Sequence, residues 1–362
     1  MKLRQLRYVL EVHRQGNHIS AAADALHTSQ PGMSKQIQLL EAELGFQVFQ
    51  RRKNKVVGVT EPGQEVISIA QRIMNDVQDL GAIREDFSLK ENGRLTVATT
   101  HTYARYVLPR IVDGFLKRYP RIDVRIWQGS PTQICEAVEM GDADLAVSTE
   151  TTRAFPNLVM LPSHKIARSV IAKKNHPILT VRRLTLAEIA KYPIITHDPS
   201  RSGRGKVMTA FEKEGIKPRV VFSAVDADVS KIYVELGLGI AILATVAVDP
   251  LHDSELGARD AGHLFEPSTT YVSVRRNAYL RKFVFDFIEA LDCRLSPETV
   301  GAAVQQKREG SLSRLQSIDS SKRVPSRYKD KACKEEQAVR EIRVRVEASN
   351  LYAGTPAQYS TQ

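Results

Sequence analysis

Between Ser20 and Leu44 apolar residues fall at helical spacing and are interrupted once, at His27-Thr28-Ser29, which predicts two short helices joined by a tight turn. The first, 20–26, is rich in alanine, so a neighbouring helix can approach closely, and Ser20 can cap its free amides. In the second, Thr28 or Ser29 can serve as N-cap, and Pro31 suits the first turn, where its missing N–H costs nothing. Ile37, Leu39, Leu40 and Leu44 supply the buried stripe, which leaves Gln30, Ser34, Lys35 and Gln38 on the opposite face. This is the pattern of a helix-turn-helix, whose second helix presents such side chains to base edges and phosphates in a DNA major groove. An ordinary helical hairpin with a polar outer face is the alternative at this point.

From Gln47 the period shortens. Residues 47–52 and 55–59 read as strands around Lys53-Asn54, a hairpin with a basic tip, which is the wing of a winged helix. Four of the five residues from Arg51 to Lys55 are basic. Arg51, Arg52, Lys53 and Lys55 are therefore expected against the DNA backbone, where they add salt-dependent, sequence-independent affinity. Thr60-Glu61-Pro62-Gly63 marks a helix start with Thr60 as cap, and Val66, Ala70, Ile73, Val77 and Leu80 then recur at heptad spacing. That seam suits packing on its own domain or a short coiled coil; a winged helix reading a two-fold operator comes as a dimer, which favours dimerisation.

Beyond Asn92 strands and helices alternate. Strand 94–100, helix 103–117, strand 122–127, helix 132–140 and strand 143–148 form a βαβαβ unit. A second unit takes strand 167–172, helix 186–191, strand 194–196, helix 207–214, strand 220–222, helix 229–236 and strand 239–243. Strand 271–274 and helix 281–291 are expected to return to the first. Two open α/β subdomains joined by chain crossings imply a cleft, with ligands at the carboxyl ends of the strands.

Composition narrows the class. At 362 residues and 42% hydrophobic content the chain can fill two or three domains with real cores. No apolar run approaches the roughly 20 residues of a membrane span. Met1-Lys2-Leu3-Arg4-Gln5 lacks a signal-peptide core, so a cytoplasmic location without membrane contact is expected. Cys135, Cys293 and Cys333 are scattered, with neither a CxxC pair nor histidines at ligand spacing, and read as free thiols with no metal site. The net charge of +11 is uneven: residues 1–60 carry +5, residues 307–347 another +5, and the remainder about +1. Only the first block coincides with a DNA-reading pattern. Within the tail 306–362, the stretch 311–334 is rich in Ser, Lys and Arg with few apolar residues, which favours disorder. It is either an unrelated extension or a basic arm that adds non-specific DNA affinity.

Hydroxyls gather where strands or loops meet helix starts, at Thr100 and Thr102, at Ser130, and at Ser202, while Thr149 ends another strand. Helix N-termini carry partial positive charge and free N–H donors, so hydroxyls beside them suit a small anion. No GxSxG elbow, HExxH pair or glycine-rich phosphate loop is present, which argues against an enzyme. His101, between two threonines, suits a structural hydrogen bond better than catalysis. A transport-type anion-binding module without a DNA role is the rival class, and the N-terminal wing argues against it.

The fragments TSQPGMSKQI, VTEPGQEV, TVATTHTYARYVLP, QGSPTQICEAV, VDADVSKIYVELGLGIAIL and AVDPL resemble LysR-type transcriptional regulators of the cysteine-regulon activator group (CysB/Cbl-like) over residues 1 to about 305. The resemblance implies a winged helix-turn-helix at 1–59 and a linker and dimerisation helix at 60–90. It further implies a periplasmic-binding-protein-like effector domain of two α/β subdomains at 91–305, the first at about 91–164 and 266–295, the second at about 165–265. It implies a homotetramer, a dimer of dimers, that meets promoter DNA and RNA polymerase, activates sulfur-assimilation and cysteine-biosynthesis genes and represses its own. Implied effectors are N-acetylserine, O-acetylserine, sulfate or thiosulfate, with no cofactor. The implied effector pocket is Thr100, Thr102, Ser130, Thr149 and Ser202 with Tyr103 beside them. Tyr103 stands where relatives commonly carry Gln, and Ser202 where they carry Thr.

Overall fold

The computed structural model describes residues 1–53, 55–86, 92–197, 202–249 and 252–305. Residues 54, 87–91, 198–201, 250–251 and 306–362, and with them the tip residue Asn54 and the tail of the sequence reading, lie outside the described residues. The chain divides into two compact units between Asn92 and Gly93.

The first unit runs α1 (Leu3–Arg14), α2 (Ile19–Ala25), α3 (Gln30–Leu44), β1 (Phe49–Arg52), β2 (Lys55–Val59) and α4 (Glu61–Asp86). Helix α1 escaped the sequence reading; it buries Leu6, Val9 and Val12 on one face against Ala22 and Ala23 of α2. Ser20 is not the cap of α2. The cap position falls to His18, which makes no side-chain capping bond, and Ser20 lies exposed inside the helix. The buried stripe of α3 is Met33, Ile37 and Leu40, with Leu44 half-buried, while Leu39 is 48% exposed. Leu39 lies about 130° of helical rotation from the centre of the stripe that Met33, Ile37, Leu40 and Leu44 define, which places it towards solvent. Gly45 ends α3 with a φ of +79°, the left-handed conformation that glycine adopts without a Cβ penalty.

The wing is an antiparallel pair, Arg52 opposite Lys55 and Phe49 opposite Val59. Thr60 caps α4 as expected, accepting from Gly63 N–H at 3.0 Å, and its hydroxyl donates to the carbonyl of Gln47. Gly63 is required here: a Cβ would lie 2.1 Å from the carbonyl oxygen of Val48. The heptad seam of α4 is divided. Val66, Ala70 and Ile73 pack into the winged domain's own core, whereas Val77 and Leu80 are exposed.

The second unit opens with β3 (Gly93–Thr99), α5 (His101–Tyr106), α6 (Leu108–Arg118), β4 (Ile122–Gln128), α7 (Pro131–Glu139), β5 (Leu145–Thr149) and β6 (Leu158–Ile166). It continues with β7 (Arg168–Lys173), α8 (Leu186–Ala190), β8 (Ile194–His197), α9 (Ser202–Lys213), β9 (Val220–Ala224), α10 (Ala227–Glu235), β10 (Ile240–Ala244) and β11 (Leu256–Asp260). It closes with β12 (Ser268–Arg275), α11 (Lys282–Leu291) and α12 (Pro297–Gln305). Two five-stranded sheets result, ordered β4-β3-β5-β12-β6 and β11-β7-β10-β8-β9. The chain crosses from the first to the second at Ala167 and returns between Asp260 and Ser268.

The helix expected at 103–117 is two helices, broken at Val107. Pro109 has no N–H to continue the ladder, and α6 restarts with it in its first turn. Strand β6 has no counterpart among the expected elements and holds Pro162. It is an edge strand, and its pairing with β12 shifts register around that residue, which is where a sheet tolerates proline. The first subdomain packs Leu95, Val97, Phe115 and Phe287 on one face of its sheet and Ile134, Cys135 and Val138 on the other. The second packs Phe211, Ile189 and Ile240 on one face and Ile195, Ala241 and Val234 on the other.

Candidate functional site

In the winged unit Ser29 is the N-cap of α3, accepting from Gly32 N–H at 3.3 Å, with Pro31 in the first turn. Gln30, Lys35 and Gln38 are exposed and Ser34 is half-buried; Lys35 and Gln38 point away from Met33, Ile37 and Leu40, whereas Gln30 stands two turns before Ile37 on the same face and is exposed because it opens the helix. Thr28 is half-buried just before the cap. Arg52, Lys53 and Lys55 are exposed at the wing tip, where Lys53 takes a φ of +48°. Arg51 differs from the expectation. Its guanidinium turns inward to Glu41, 2.7 Å away, and Glu41 also accepts the backbone N–H groups of Val48 at 2.9 Å and Phe49 at 3.2 Å. Glu41 is buried, so Arg51 ties α3 to the wing instead of standing free for phosphate.

In the second unit β3 runs parallel to both β4 and β5, so their carboxyl ends align. Thr100 follows β3, Ser130 follows β4 after Gly129, and Thr149 ends β5. Thr100 occupies the N-cap position of α5 without using its hydroxyl as a cap, and Thr102 lies in the first turn; both are half-buried. Ser130 is already engaged: its hydroxyl accepts from Gln133 N–H while the Gln133 side chain accepts from Ser130 N–H, a reciprocal capping box. Ser202 begins α9, earlier than the helix start expected at Val207, and its side chain lies outside the described residues. Lys206, one turn further on, holds α9 to the first subdomain through Glu150 at 2.8 Å and the carbonyl of Pro267 at 2.8 Å.

Tyr103 follows Thr102 in α5, and its side chain turns inward towards Thr270, the strand partner of Thr149. It is buried in the first subdomain's core, where its phenol reaches Thr270, and burial pushes its pKa up to about 12. Tyr106, also on α5, packs against the second subdomain's core of Ile195, Val234 and Ala241.

Three residues of α5 cross to α10. His101 Nε2 lies 2.8 Å from Asp228, with Nδ1 3.2 Å from Gln128; Arg105 Nε lies 3.0 Å from Asp228; and the Tyr106 hydroxyl donates to the same carboxylate. Lys231 donates to Tyr106 at 2.8 Å, to the carbonyl of Ala247 at 3.1 Å and to Asp253 at 2.8 Å. Burial alone would raise the Asp228 carboxyl, but hydrogen bonds from Tyr106 and His101 and the charges of Lys231 and Arg105 hold it below its ordinary value. His101, Asp226 and Asp228 offer atoms within 4.8 Å of one another. With Asp226 capping α10 and cations already on Asp228, the cluster is an ion-pair network, and sequence spacing alone could not have revealed it.

Residues 3–64 match the bacterial regulatory helix-turn-helix proteins of the lysR family, and residues 89–296 match the LysR substrate binding domain. The chain belongs to the LysR family. Among curated LysR relatives, it is 42% identical to the HTH-type transcriptional regulator SsuR of Burkholderia cenocepacia over 84% of this chain and 99% of that one. It is 40% identical to the HTH-type transcriptional regulator CysB of Haemophilus influenzae over 87% of this chain and 97% of that one. The crystal structure of the cofactor-binding domain of the Cbl transcriptional regulator superposes on 61% of this chain and 98% of its own length, with 34% identity and a TM-score of 0.57. As a LysR-family member the chain is a transcriptional regulator and not an enzyme, with a helix-turn-helix for DNA and a two-subdomain α/β domain for a small effector. No described helix is long and apolar enough to cross a membrane.

Proposed function

We propose that this LysR-family chain regulates sulfur assimilation and cysteine biosynthesis, activating those promoters, repressing its own gene, and acting as a dimer of dimers beside RNA polymerase. Its similarity to regulators named CysB, SsuR and cbl supports the gene class. Gln30, Ser34, Lys35 and Gln38 read base edges and nearby phosphates, while Arg52, Lys53 and Lys55 hold the DNA backbone. The effector is a small anion such as N-acetylserine, O-acetylserine, sulfate or thiosulfate. The observation that carries this reading is the alignment of Thr100 and Thr149 at the ends of adjacent parallel strands, with Thr102 one step into α5 and the Thr100 hydroxyl unused as a cap.

Effector binding there acts on α5, which also carries the three side chains bonded to α10, so occupancy of the cleft is coupled to how the two subdomains sit. That in turn changes which half-sites the winged domains occupy. Footprinting on a cysteine-biosynthesis promoter tests the whole account: an effector should move the protected region, and identical footprints with and without every one of these effectors would sink it.

A further inference from the structure

Arg168, the first residue of β7, is only 4% exposed, yet among the described residues it forms no ion pair. Its side chain makes one hydrogen bond, Nη2 to Ser268 Oγ at 2.9 Å, and its Nε–H is buried with no acceptor. Burial draws the guanidinium below its ordinary pKa, and Glu150 is the charge that opposes this. Glu150 is the mirror case. Its Oε1 accepts Lys206 at 2.8 Å and Thr269 N–H at 2.8 Å, while Oε2 is buried with no donor. Both side chains are strung along one short segment, Arg168 on Ser268 and Glu150 on the next residue, where the chain returns between the two sheets. Glu150 also directly follows Thr149, whose strand partner is Thr270.

A buried charged donor and a buried carboxylate oxygen, each left unbonded beside the same segment, are complementary to a ligand that has both an acceptor and a donor. Lys206 is shared between Glu150 at 2.8 Å and Glu266 at 3.8 Å, so Arg168 is the cation without a carboxylate of its own. A carboxylate can supply the missing acceptor, whereas a dianion such as sulfate brings a second charge beside Glu150 and has no hydrogen to give it.

We propose that Arg168 and Glu150 form a specificity pair in the effector cleft, Arg168 Nε–H binding the ligand's carboxylate and Glu150 Oε2 accepting from its amide or hydroxyl. The pair selects a small carboxylate carrying a hydrogen-bond donor over an inorganic dianion, and it rests on the reading above that this cleft takes the effector.

Isothermal titration of the full chain with N-acetylserine and with sulfate tests it, on wild type, Arg168→Lys, Glu150→Gln and Thr100→Val. Arg168→Lys keeps the charge but loses the fork and should weaken N-acetylserine at least tenfold, since one charge-assisted hydrogen bond is about a tenfold effect or more. Glu150→Gln should weaken N-acetylserine and strengthen sulfate, each by about tenfold, because it removes an acceptor and a like charge together. If Arg168→Lys melts before it can be titrated, the opposite signs for the two ligands in Glu150→Gln decide alone. The same sign for both ligands, or no change, means that water fills the gap and overturns the pair. Weaker binding in Thr100→Val with Glu150→Gln unchanged leaves the cleft reading standing and removes only the pair; no binding of either ligand to wild type removes both.

Discussion

Lys231 of α10 donates a 2.8 Å hydrogen bond to the phenol of Tyr106 on α5, and this contact joins the two subdomains through the helix that carries Thr102. Tyr106 passes its own hydrogen to Asp228, and Lys231 is anchored from behind by Asp253. Burial would lower Lys231, but the hydrogen bonds it donates to Asp253 and Tyr106 raise it above its ordinary 10.5, and Asp228 is held below its ordinary 3.8.

The sign of the pH dependence follows. A depressed carboxylate contributes stability that is present above its ordinary value and lost as pH falls through the lower folded value. A raised lysine contributes below 10.5 and loses that contribution as pH climbs through its folded value. The contact is therefore complete across the neutral range and opens in acid. Thermal denaturation followed from neutral pH to well below the ordinary carboxyl value of 3.8 should show a steeper acid loss in the wild type than in Asp228→Asn. Equal acid losses in the two proteins would contradict the assignment.

Arg51 and Arg52 are neighbours with opposite duties. Arg51→Ala should destabilise the winged domain by about 1.5–3 kcal/mol, the range for hydrogen bonds to charged groups, measured by chemical denaturation. Arg52→Ala or Lys53→Ala should leave stability unchanged and reduce the slope of log affinity against log salt by about one each. Fluorescence anisotropy over a salt series separates the two outcomes; a reduced slope in folded Arg51→Ala would show that its guanidinium reaches phosphate after all.

On α3, Gln30→Ala and Ser34→Ala should cost about 1–3 kcal/mol of discrimination between operator and random DNA. Competition binding measures this directly. Equal weakening on both DNAs would place these side chains on the backbone.

Tyr103→Phe removes only a buried hydroxyl near Thr270 and should lower stability by about 0.5–1.5 kcal/mol, leaving effector affinity unchanged. A large change in calorimetric effector affinity would return Tyr103 to the pocket.

Where the sequence reading succeeded, local chemistry and tertiary structure agreed: the Ser29 cap, the Thr60 cap, the basic hairpin and the alternating α/β pattern all rest on side chains acting within a few residues. Where it failed, long-range packing decided. Helix α1 lacks a hydroxyl or acidic cap at Lys2, and its signals are the spacing of Leu6, Val9 and Val12 and the Gln5 side chain that accepts from Lys2 N–H. Leu39 and Leu40 are equally apolar, and only the position of α1 and the wing determines which is buried. A lysine or arginine in a basic run carries no mark of a buried partner ten residues back, which is how Arg51 was misassigned. The α5–α10 network joins residues more than 120 positions apart, as His101 with Asp228, and has no local signature. Arg168 likewise reads as an ordinary strand-end cation until its burial is known.

The antiparallel pairing of Ile166 with Ser268 has a consequence for how the chain folds and how it can be cut. Strands β6 and β12 are the two arms of a hairpin, and the whole second subdomain is its loop. The first sheet cannot complete its centre until ribosomal synthesis has passed residue 275, since β12 lies between β5 and β6. Prior folding of 168–260 brings the arms together and spares most of the loop-closure entropy. The second subdomain is thus one continuous stretch, while the first is two pieces that its neighbour's folding brings together.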